Sequence, residues 1–87
     1  MRYSPKNHKW AVIQYGYCLF GVGRTAEAAK RDAIRWMEFE RDGYTCLQGD
    51  GTLSDLENCL DNASNRVDGA IYLINDADEI KSYVENQ

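Results

Sequence analysis

Cysteine and histidine are the residue types in this sequence that could form a nucleophile with its base or hold a metal ion. The 87-residue chain has three cysteines, Cys18, Cys46 and Cys59, and one histidine, His8. A cysteine nucleophile needs a thiolate, commonly formed beside a base, and no local pattern brings His8 to Cys18. No two cysteines have the spacing of a zinc or redox motif. We therefore predict three reduced thiols that pack as small hydrophobic groups, with no metal, no cofactor and no enzymatic activity.

Carboxylates are the second group that could do chemistry, either as acid–base pairs or as calcium ligands. Asp50 begins a stretch of alternating oxygen-bearing residues, but Asp55 stands at its sixth position, where a calcium-binding EF-hand loop needs glycine. Residues 54–57 (Ser-Asp-Leu-Glu) and 76–79 (Asp-Ala-Asp-Glu) match the capping box that begins a helix. We therefore interpret these carboxylates as turn and capping residues.

Charge is distributed unevenly along the chain, whose formal net charge is −4. Residues 1–43 have eight Lys/Arg and five Asp/Glu, which gives +3, and residues 44–87 have two and nine, which gives −7. Together with a pI near 4.8, the acidic half predicts a basic protein surface as partner and argues against nucleic acid, whose phosphates need clustered cations. A mean hydropathy of −0.60 and the lack of a long apolar run predict a cytoplasmic protein without a membrane span.

The elements that would position these side chains begin with a β-hairpin. Residues 9–15 and 17–22 are rich in β-branched and aromatic types, and Gly16 between them favours a tight turn. Gly21 in the second strand indicates a bulge or a close approach of another backbone. Thr25 is a good helix N-cap, and we expect its helix to continue to about Asp42 and end at Gly43.

This long helix is predicted to pack across the hairpin through residues at helical spacing, namely Ala29, Ala33, Trp36 and Met37. Trp36 is therefore expected to be buried, and Trp36→Ala to cost about 3–5 kcal/mol. The same helix offers two pairs of opposite charge, Glu27–Arg31 and Asp32–Arg35.

The rest of the chain predicts a short strand at 44–48, a helix after 52–54, a strand at 70–74 and a last helix from 76. The order β-β-α-(β)-α-β-α indicates a single α+β domain spanning residues 1–87, with a small, mostly antiparallel sheet and helices packed on one face.

Residues 21–25 (Gly-Val-Gly-Arg-Thr), followed by Ala29, Lys30 and Ala33, resemble the last strand and final helix of double-stranded RNA-binding domains. The family's phosphate-binding lysines just after the Ser/Thr are here Ala26 and Glu27, and only Lys30 keeps the pattern. The hairpin and the helix entry from Gly23 to Ala29 are also similar to HicB-type antitoxins. These resemblances are local and imply a compact β-β-α unit.

The small size, acidic half, aromatic content and missing catalytic motifs resemble those of phage and mobile-element proteins that inhibit CRISPR systems. This anti-CRISPR resemblance implies a non-enzymatic inhibitor in the host cytoplasm. It would bind a basic subunit of a CRISPR effector complex and block nucleic-acid binding. The residues predicted to contact that partner are acidic: Asp50, Asp55, Glu57, Asp61, Asp76, Asp78 and Glu79.

Two other functions remain open from the sequence. The first is a nucleic-acid-binding module or HicB-like antitoxin that would use the basic residues around the first helix: Arg24, Lys30, Arg31, Arg35 and Arg41. The second is a structural domain without a partner.

Overall fold

The computed structural model describes residues 3–61 and 66–85, and the predicted α+β class is confirmed there. The elements in chain order are β1 (Trp10–Gln14), β2 (Cys18–Gly23), α1 (Ala26–Ile34), β3 (Phe39–Arg41), β4 (Tyr44–Cys46), α2 (Leu53–Cys59), β5 (Ile71–Ile74) and α3 (Ala77–Glu85).

The main sheet has three antiparallel strands in the order β2-β1-β5, so β1 is central. The predicted hairpin of β1 and β2 is confirmed, and Gly16 makes its turn with a φ of +83°. The predicted strand at 70–74 is also confirmed, because β5 pairs with β1 and places Tyr72 opposite Ile13. Both of these side chains are buried.

Helix α1 lies directly against β2, and the lack of side chains at Gly21 and Gly23 makes this packing possible. A Cβ atom at Gly21 would lie 2.4 Å from the backbone N of Ala33, and one at Gly23 would lie 2.4 Å from that of Ala29. The close approach predicted at Gly21 is thus confirmed. The β1–β2 register also shifts beside it, between Val12 and Ile13.

Helix α1 ends at Ile34, so the prediction that it continues to about Asp42 is wrong. Residues 39–41 form β3 instead, which pairs with β4 across a two-residue turn. Asp42 and Gly43 in that turn have φ values of 53° and 82°. Two consecutive residues with positive φ give the twist that a tight hairpin needs. Gly43 therefore makes a hairpin turn and does not cap the helix.

The early end of α1 also overturns the predicted burial of Trp36. The side chain is 56% exposed, whereas Met37 and Phe39, which follow it, are buried. Beyond the helix the 100° rotation per residue no longer applies, so helical spacing from Ala33 does not place Trp36 on the core face. An exposed side chain leaves no large cavity when it is removed, so a loss of about 3–5 kcal/mol is no longer expected for Trp36→Ala.

The helices pack on both faces of the sheet, which corrects the prediction that they share one face. In β1, Val12 belongs to the apolar cluster of α1 and α2, which contains Leu56. Its neighbours Ala11 and Ile13 belong to a second cluster, which contains Ile80 of α3. Successive side chains of a strand point to opposite faces, so α3 covers the face away from α1 and α2.

Candidate partner-binding site

The seven acidic residues predicted to bind a partner do not form one surface. Asp50, Asp55 and Glu57 lie on α2 or the loop before it, and Asp76, Asp78 and Glu79 lie at the start of α3. These helices pack on opposite faces of the sheet. Asp61 is exposed just after α2, and its backbone N–H donates to the carbonyl of Ile71 at 2.8 Å.

Asp55 is a structural residue of this fold. Its carboxylate accepts the N–H of Thr52 at 2.7 Å, and the Thr52 hydroxyl accepts the N–H of Asp55, which completes a capping box. The same carboxylate accepts two hydrogen bonds from the guanidinium of Arg41, at 3.0 and 2.6 Å. The capping box predicted at residues 54–57 thus lies two residues earlier, with Thr52 as the N-cap of α2 and Asp55 as its partner. The Asp55 side chain is only 11% exposed.

The bonds from Arg41 and Thr52 lower the pKa of Asp55 from 3.8 to about 2. A carboxyl group whose pKa is lower in the folded state stabilises the fold above its unfolded pKa, and this contribution is lost as the pH falls through the folded pKa. We expect Asp55→Asn to lower the free energy of unfolding at pH 6, and the difference from wild type to shrink between pH about 4 and about 2.

Urea denaturation at several pH values measures this difference. Arg41→Gln removes the cation and should weaken the pH dependence in the same window. A difference between wild type and Asp55→Asn that stays constant down to pH 2 would contradict this role of the ion pair.

Several of the other acidic residues also have structural partners. The side chain of Asp76 accepts the N–H groups of Asp78 and Glu79 at 2.9 and 3.1 Å, so its predicted capping role is confirmed. Glu79 pairs with Arg66 at 3.2 Å, and that guanidinium lies over the ring of Tyr72. The carboxylates of Asp76 and Glu79 therefore already have hydrogen-bond or ion-pair partners within the fold.

The basic residues proposed for nucleic-acid binding are also largely neutralised. Lys30 pairs with Glu57 at 3.4 Å, Arg31 with Glu27 at 2.7 Å, and Arg41 with Asp55. Within residues 3–61 and 66–85, Arg24 and Arg35 form no ion pair, and they are the cations of this set left for a partner.

An open groove of about 680 Å³ lies between β2 and α1, and we call it the β2–α1 groove. Its accessible apolar lining comes from Phe20 of β2, Ala28 of α1 and Trp36 just beyond α1. Leu19 and Val22 of β2 also border the groove, but their side chains are buried in the cluster that contains Ile80 of α3. The sequence pattern did not predict this site, because helical spacing extends α1 past Trp36 and places that side chain in the core. The Asp-Gly pair at 42–43 suits a hairpin turn as well as a helix end, so it is the sequence feature that was compatible with an earlier end of α1.

The charged lining of the β2–α1 groove contains two guanidinium groups, those of Arg31 and Arg35, and one carboxylate, that of Asp32. Asp32 does not form the ion pair with Arg35 that the spacing predicted. Its carboxylate instead accepts the backbone N–H of Val22 at 3.0 Å. The groove therefore combines an exposed aromatic side chain with a cation that has no carboxylate partner in the described part of the chain.

The three cysteines all fall in the described ranges and are free thiols. Burial raises the pKa of Cys18 and of Cys59, and Asp55 raises that of Cys59 further. A raised pKa keeps a thiol protonated at neutral pH and makes it a weak nucleophile. The described residues contain no group of three or more His, Cys, Asp or Glu side chains placed to hold a metal ion.

The longest helices among residues 3–61 and 66–85 have nine residues, and none is long and apolar enough to cross a membrane. Comparison of the chain with protein families, curated proteins and solved structures finds no match. The resemblances to RNA-binding domains, HicB-type antitoxins and anti-CRISPR proteins therefore stay predictions.

Proposed function

We propose that this protein is a non-enzymatic binding module that engages a partner protein through the β2–α1 groove. The observation that carries the proposal is the position of Trp36, which is 56% exposed on the rim of an apolar groove. A tryptophan side chain offers a large rigid contact area, and tryptophan is enriched among the residues that dominate the energy of protein interfaces.

Two further observations support this proposal. The half-buried side chain of Phe20 extends the apolar surface beside Trp36, so a partner could bury a continuous area. The raised pKa of Cys18 and Cys59 makes these two exposed or partly exposed thiols weak nucleophiles, which supports the non-enzymatic part of the proposal.

Inhibition of a CRISPR effector through acidic side chains is a more specific role, and it stays a prediction. Asp55, Glu57 and Glu79 are paired with cations, and Asp76 caps α3. A phosphate-like contact would therefore fall to the exposed carboxylates that remain, such as those of Asp50 and Asp78.

Affinity capture from a bacterial lysate tests the proposed function. The baits are wild type, Trp36→Ala and Tyr44→Ala, which removes another aromatic side chain, 78% exposed on the β3–β4 hairpin. We expect a protein that is retained by wild type and by Tyr44→Ala, and retained at least about tenfold less by Trp36→Ala, since a tenfold change corresponds to about 1.4 kcal/mol. Equal retention by Trp36→Ala, or capture of nucleic acid alone, would overturn the proposal.

A further inference from the structure

We infer that the partner segment held in the β2–α1 groove carries an apolar anchor side chain next to a carboxylate. This inference rests on the proposed function and goes beyond it by naming the chemistry of the partner. It also differs from the sequence-based expectation, in which acidic residues of this protein contact a basic partner.

The apolar half of the inference comes from the lining and size of the groove. Phe20 of β2 and Trp36 present aromatic surface to the groove, and Ala28 of α1 adds a small apolar side chain to its lining. A volume of about 680 Å³ lies within the range of about 300–1,000 Å³ that is typical of ligand pockets. The groove can therefore take a large apolar side chain together with a flanking residue.

The carboxylate of the inferred partner segment follows from the charged residues that line the groove. Two guanidinium groups face one carboxylate, and that carboxylate, of Asp32, is bound to the N–H of Val22. Arg31 is paired with Glu27, whereas Arg35 has no ion pair among the described residues. A guanidinium can bind a carboxylate with two parallel hydrogen bonds, so Arg35 is the residue that selects an acidic side chain.

The same contacts argue that the segment is held by its side chains and not by extension of the sheet. The edge of β2 is obstructed, because Asp32 occupies the N–H of Val22 and α1 buries Gly21 and Gly23. The register shift between Val12 and Ile13 distorts the β1–β2 ladder as well. Charged side chains and bulges at a sheet edge oppose pairing with another strand, including that of a second copy of this chain.

Selection from a library of random peptides displayed on phage tests the inference, with the wild-type protein as the target. We expect the selected peptides to share a Phe, Trp, Leu or Met next to an Asp or Glu. Binding of a selected peptide to Arg35→Glu should be at least about tenfold weaker than to wild type. Replacing the acidic residue of that peptide with Lys should restore part of the affinity for the variant.

Arg24→Glu is the matched control, because Arg24 is exposed, has no ion pair in the described ranges and does not line the groove. It makes the same charge change and should leave peptide binding within about twofold of wild type. If Arg35→Glu does not fold, as judged by circular dichroism, Arg35→Gln removes the same charge and should weaken binding at least about fivefold.

Four results would overturn the inference: selection of no peptide, selection of Lys/Arg-rich peptides, an equal loss of binding in Arg24→Glu, or concentration-dependent dimers built on the groove. Its failure can be told apart from failure of the proposed function. If retention of the captured protein requires Trp36 but not Arg35, the proposed function stands and only the inferred acidic residue of the partner is wrong. If retention does not require Trp36, the proposed function and the inference are both wrong.

Discussion

Replacing Gly21 with alanine is expected to force α1 away from β2 and to lower the free energy of unfolding sharply. The added Cβ atom would lie 2.4 Å from the N and 2.7 Å from the Cα of Ala33, and 2.9 Å from the carbonyl oxygen of Ala29. Overpacking costs about 1–3 kcal/mol where side chains can adjust. These atoms belong to the backbone, so we expect a loss of about 3 kcal/mol or more, a large part of the stability of a small domain.

Urea denaturation followed by circular dichroism measures this effect. Gly49→Ala is the control, because Gly49 has a φ of +88° and a Cβ added there would meet no atom within 4 Å. This substitution should therefore cost only the strain of a left-handed alanine, about 1–2 kcal/mol. Ala33→Gly should not rescue Gly21→Ala, since the close contacts are with the backbone. A Gly21→Ala variant that unfolds at the same urea concentration as wild type would show that α1 does not lie against β2 in this way.

Phe39→Ala is expected to lower the free energy of unfolding by about 3–5 kcal/mol, and Trp36→Ala by at most about 1 kcal/mol. The Phe39 side chain is 3% exposed in the cluster of α1 and α2, whereas Trp36 points largely into solvent. The Phe39 ring is also enclosed by the loop before α2, because a Cβ at Gly51 would lie 2.6 Å from two of its ring carbons. Removal of the ring therefore leaves a cavity that the surrounding chain only partly fills.

The two variants are compared under identical conditions by urea denaturation, with tryptophan fluorescence for Phe39→Ala and circular dichroism for both. The ranking itself is the test, because a helix that continued to residue 42 would bury Trp36. A larger loss of unfolding free energy for Trp36→Ala than for Phe39→Ala would indicate that α1 continues to residue 42 and would contradict the β3–β4 hairpin. It would also contradict the β2–α1 groove on which the proposed function depends.

The sequence by itself determined the structure of residues 9–34 to a large extent, because most of the contacts that define it are local. The turn at Gly16 joins neighbouring strands, and the hydroxyl of Thr25 accepts the N–H of Ala28 at 3.1 Å, as expected for an N-cap. The Glu27–Arg31 pair spans one helical turn and forms as predicted. The close approach at Gly21 was also accessible, since a glycine within a strand leaves room for another backbone.

Only the tertiary structure decided where α1 ends and which charged groups pair across long stretches of the chain. An Asp-Gly sequence suits both a helix end and a hairpin turn, since both need positive φ, and burial of Phe39 in β3 selects the hairpin. Asp55 pairs with Arg41, 14 residues away, and Asp32 binds the backbone of β2, ten residues away, so neither partner is visible in helical spacing. The candidate site follows from these non-local contacts, because they expose Trp36 and leave Arg35 without a carboxylate partner among the described residues.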